Sequence, residues 1–79
     1  MSVDEAIEQI QGTILAASPG AEIKAVRMSD EEARLSVFAP AGEMQAVKNA
    51  TFQPVLDLLV EGLDLQVFVY DKDNPTPTA

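Results

Sequence analysis

The side chains that could do chemistry in this chain are its carboxylates, its lysine amines, Lys24 and Lys48 among them, the Ser and Thr hydroxyls and the Tyr70 phenol. Histidine and cysteine are both absent. Without cysteine there is no disulfide framework, no thiolate nucleophile and no sulfur-ligated iron or zinc site. Without histidine the usual general base near neutral pH is missing, and Ser-His-Asp and Cys-His arrangements are excluded. A carboxylate or lysine enzyme would need a cleft deep enough to shift pKa values, which 79 residues rarely enclose. The expectation is a protein with no catalytic residues, no cofactor and no bound metal. Asp30-Glu31-Glu32 reads as a solvent-facing loop. Asp71-Lys72-Asp73-Asn74 opens like a calcium loop, but Pro75 follows where a ligand should stand and the closing glutamate is missing.

The aromatic residues point to recognition instead. The chain has four of them, and Phe38, Phe68 and Tyr70 fall on the outward parity of their strands. Arg34, Ser36, Gln66 and Asp64 share that parity. An apolar patch with a polar surround is the mark of a binding surface. The residues expected to form an interaction face are therefore Phe38, Phe68, Tyr70, Arg34, Ser36 and Gln66.

The length allows one domain, and 47% apolar residues are enough for a packed core. Residues 1–70 read as that domain and 71–79 as a disordered tail, with two prolines and no apolar anchor. Thirteen acidic residues against five basic ones give a net charge of −8. That charge disfavours nucleic acid and anionic membranes, although Lys24, Arg27 and Arg34 gather on one hairpin. The N-terminus lacks a basic region followed by an apolar run, and no segment has the ~18–20 apolar residues that cross a bilayer. The expected location is the cytoplasm.

The elements that must position the face are read from periodicity. Ser2-Val3-Asp4-Glu5 is a capping box, and Val3, Ala6, Ile7, Ile10, Ile14 and Ala17 recur at helical spacing up to Ser18-Pro19-Gly20. Ala21 to Met28 reads as a strand whose alternation changes phase at Ala25-Val26, which predicts a β-bulge. Ala33 to Ala39 is a second strand, paired to the first as a hairpin. Glu43 to Val60 is helix-compatible but contains Pro54. The spacing predicts either a kink or a split, with Thr51 as a new N-cap and Phe52, Val55, Leu56 and Leu59 as the buried stripe. Gly62 ends the helix, and Leu63 to Tyr70 alternates as the last strand.

This order, α-β-β-α(kinked or split)-β, predicts an α+β two-layer sandwich: a three-stranded mixed sheet with both helices packed on one face. The same order resembles the C-terminal scaffold domain of NifU-type iron–sulfur assembly proteins and, with the second helix split, a type II KH domain. The first family carries a CxxC where this chain has Pro40-Ala41-Gly42-Glu43. The second carries a GxxG where this chain has Asn49-Ala50-Thr51-Phe52. The resemblance therefore implies a shape and transfers no site residue. The expected function is a small acidic non-catalytic protein-interaction module, a homodimer or an adaptor, acting through the aromatic sheet face. The alternatives are a small-ligand carrier or minor enzyme with its site between helix and sheet, and a KH-like nucleic-acid binder.

Overall fold

In the computed structural model, which describes residues 1–73, the chain runs α1 (Val3–Ala17), β1 (Glu22–Arg27), β2 (Glu32–Ala39), a 3-10 turn (Ala41–Glu43), α2 (Met44–Val60) and β3 (Asp64–Asp71). The capping box forms as the sequence predicts. The Glu5 N–H donates to Ser2 Oγ at 3.1 Å and the Ser2 N–H donates to Glu5 Oε1 at 2.9 Å. At the far end the Ser18 N–H donates to the Ile14 carbonyl at 2.8 Å, and the buried Ser18 hydroxyl donates to the Glu43 carboxylate. That contact ties the end of α1 to the start of the second helical segment.

The sheet order is β1-β2-β3, with β1 antiparallel and β3 parallel to β2. Parallel pairing follows from the helical crossover between β2 and β3. As the central strand, β2 puts Ala33, Leu35, Val37 and Ala39 wholly out of solvent. Val3, Ala6, Ile10 and Ile14 of α1 pack on that face with Val47 and Leu58 of α2, and Leu63 and Leu65 complete the core. Gly62, at φ 91°, turns the chain out of α2: its N–H donates to the Leu59 carbonyl and the Leu63 N–H to the Leu58 carbonyl. This is the double bond of a helix stop built on a left-handed glycine.

Four expectations are corrected. β1 has no bulge: Glu22 to Arg27 pair without interruption from Phe38 to Ala33. The apparent change of phase arises because Arg27 lies on the inner parity, at the open end of an edge strand. There it reaches Asp4 of α1 at 3.3 Å and also pairs with Asp30. Of the two readings of the second helix the split is overturned: α2 is one helix with Pro54 in its interior. Thr51 is not an N-cap; it is buried, and its hydroxyl donates to the Val47 carbonyl at 2.9 Å. The buried stripe of α2 is Val47, Thr51 and Leu58 with Val55 half-buried, whereas Phe52, Leu56 and Leu59 face solvent. The rotation follows from packing on two sides: α2 must touch both α1 and β3, and Val47 and Leu58 are the apolar positions that reach both. In the tail, Asp71 closes β3 and the Lys72 N–H donates to the Ala39 carbonyl at 2.8 Å. From residue 74 the expected disordered tail lies outside the described residues.

Candidate interaction site

Strict alternation along three paired strands fixes what the outer sheet face presents. The registers set Glu22, Phe38 and Tyr70 in one row, Lys24, Ser36 and Phe68 in the next, and Val26, Arg34 and Gln66 in the third. All six sequence-predicted residues therefore share one face, and both helices lie on the other. The Phe38 and Tyr70 rings stack with centroids 5.3 Å apart and planes 23° from parallel. Such a cross-strand pair contributes about 0.5–1.5 kcal/mol beyond its buried area. The Arg34 guanidinium lies 5.6 Å from the Phe68 ring centre, a cation–π contact worth about 0.5–1 kcal/mol at an exposed site. Phe68 remains 39% exposed and Val26 52%. Gln66 Nε2 donates to Glu32 Oε2 at 3.2 Å, which holds one polar corner of the patch.

The face offers flat apolar contact, two cations, Lys24 and Arg34, and two carboxylates, Glu22 and Glu32. The Phe38 and Tyr70 rings are braced against one another and Phe68 against Arg34, so they meet a partner with little side-chain freedom left to lose. The acidic runs do not assemble into a ligand set. Asp30 pairs with Arg27, Glu32 accepts from Gln66, and among the described residues no three acidic side chains converge on one point. Among the same residues no helix is long and apolar enough to cross a membrane. The Glu5 carboxyl has a lowered pKa. The Ser2 backbone N–H and then its hydroxyl stabilise the carboxylate and hold it below the ordinary value of 4.5, a consequence of helix capping.

A second apolar surface was not foreseen. Phe52, Leu56, Leu59 and Val60 of α2 are 66%, 40%, 51% and 88% exposed. Phe52 and Leu56 also line a groove of about 300 Å³ between α2 and β3, together with Val55, Val67 and Val69 and with Lys48 and Thr51. This is where a ligand between helix and sheet would sit. The Thr51 hydroxyl, however, is already given to the Val47 carbonyl, which leaves Lys48 as the free polar group of the lining. Small-ligand sites usually converge several polar atoms to orient their guest. The signal for this surface was present in the sequence: α2 carries apolar residues around most of its circumference, more than one buried stripe can absorb. Comparison of the chain with protein-family models, curated proteins and solved structures finds no match in any of the three.

Proposed function

We propose that this chain is a small, acidic, non-catalytic interaction module of the cytoplasm that binds a partner protein through its outer sheet face. The observation that carries the reading is the gathering of Phe38, Phe68 and Tyr70 with Arg34 on a sheet face that no helix covers. Aromatic and arginine side chains are the residue types that dominate binding energy at protein interfaces. Lys24 and Arg34, with Glu22 and Glu32 on the same face, make its complement a protein surface with apolar side chains flanked by charges of both signs. The overall charge of −8 disfavours a nucleic-acid partner, because phosphate contacts need more lysine and arginine than this chain supplies.

The test uses the wild-type chain and a Phe38→Ser/Arg34→Glu variant as matched baits, with circular dichroism to confirm that both are folded. A protein captured by the wild type is then purified and titrated against each. The double change is expected to weaken binding by at least about tenfold, the scale of a lost interface anchor. Equal affinity for both baits would overturn the assignment of the face.

A further inference from the structure

Among the described residues, the flank formed by α2 and β3 combines an apolar helix ridge with an open strand edge. Adjacent residues of a strand send their backbone groups to opposite sides. The Asp64 N–H donates to the Glu31 carbonyl and the Lys72 N–H to the Ala39 carbonyl, so the even-numbered residues of β3 face β2. The N–H and C=O groups of Leu65, Val67, Val69 and Asp71 therefore point to the open edge. Between Asp64 and Asp71 the strand carries no charge, proline or glycine. β1, at the other edge, carries Glu22, Lys24 and Arg27 among its six residues. Charge is how sheets ordinarily guard an edge against pairing, and β3 lacks that guard over its central part.

We infer that two copies of this chain pair through β3, antiparallel about a two-fold axis at Phe68, to form one six-stranded sheet. The occupant is a second copy because the outward set matches itself. Reversed on the axis at Phe68, Leu65 meets Asp71 of the second copy and Val67 meets its Val69, so all four outward residues of each strand are paired. Moving the axis to Val67 leaves Asp71 opposite Leu63, which lies outside the strand. The register at Phe68 also sets Asp64 opposite Lys72 of the second copy, twice by symmetry. Among the described residues Asp64 has no ion-pair partner within its own copy. Lys72, which contacts the Gly20 carbonyl at 2.9 Å and lies 3.8 Å from Glu22, is exposed enough to turn. Because the paired residues keep their parity, the helices of both copies lie on the same side of the joined sheet. Phe52 sits level with Val67 and Val69 in the groove, close to the axis, so Phe52 and Leu56 of each copy meet those of the other. This inference does not rest on the outer-face reading, which a monomer could equally serve.

Sedimentation equilibrium of the full chain from micromolar to millimolar concentration tests it. The wild type is expected to reach twice the monomer mass, and Phe52→Asp to weaken dimerisation at least about tenfold. Phe38→Ser, on the outer face of β2, should leave the dimer unchanged. Asp64→Lys and Lys72→Asp should each weaken it, and the two together should restore it. Circular dichroism monitors folding throughout. A chain that stays monomeric to millimolar concentration overturns the inference, even if another protein occupies the flank. A dimer indifferent to Phe52→Asp overturns it as well, and a charge swap without rescue overturns the register.

Discussion

Leu58 and Leu59 are adjacent in α2, and the structure gives them opposite surroundings: 2% and 51% exposed. Truncating each to Ala removes the same atoms from the same helix, so the change in helix propensity cancels and the difference isolates burial. For Leu58 the lost transfer energy of a fully buried leucine and the cavity left behind sum to about 2–5 kcal/mol. For Leu59, with half its surface already in water, the cost is about 1 kcal/mol or less. A chain of 79 residues has a total stability of about 4–12 kcal/mol, so Leu58→Ala stays folded in most of that range but consumes much of the margin. The assay is urea unfolding followed by far-ultraviolet circular dichroism, at a concentration low enough to keep the chain monomeric. With a slope of about 1 kcal/mol per molar urea, Leu58→Ala moves the midpoint down by about 2–5 M and Leu59→Ala by about 1 M or less. If Leu59→Ala costs as much as Leu58→Ala, α2 is rotated relative to this description, and the exposed flank beside β3 does not exist.

Three further outcomes follow from local structure. Gly12 lies in the exposed part of α1 with nothing within 4 Å of an added Cβ, so Gly12→Ala should stabilise the fold by about 1 kcal/mol in the same assay. Pro54 lies inside α2 and, lacking an N–H, leaves the Ala50 carbonyl without its helical donor. Pro54→Ala should raise the melting temperature, by a gain of up to about 3 kcal/mol less about 1 kcal/mol for the freer unfolded chain. Glu5 is held below its ordinary value of 4.5 by its bonds with Ser2, so its contribution is present above that value and is lost as pH falls through the lowered folded value. Unfolding of wild type and Glu5→Gln across acidic pH should show the wild type ahead near neutrality and the difference closing towards strong acid. A gap that does not change with pH would contradict the capping account.

The parity of β2 and β3 was legible in the sequence. Phe38, Phe68 and Tyr70 occupy even positions in strands whose odd positions are apolar, and a period of two leaves no freedom once the odd set is buried. The capping box at Ser2 and the stop at Gly62 were equally local and equally readable. β1 misled because Arg27 is polar on an inward parity, and only the tertiary position of an edge strand, with Asp4 beside it, explains that. Pro54 misled because the cost of an interior proline is local, whereas the packing of Val47 and Leu58 that keeps α2 in one piece comes from the rest of the fold.

The sequence by itself determined the order of elements, the two-sidedness of the sheet and the absence of histidine and cysteine chemistry. Only the tertiary structure decided how α2 is turned. A helix with apolar residues on most of its circumference has several rotations of similar local merit, and the choice among them belongs to the surfaces of α1, β2 and β3 it must fill at once. That choice buried Leu58, exposed Phe52, Leu56 and Leu59, and left Phe52 and Leu56 beside a strand edge that is unpaired among the described residues.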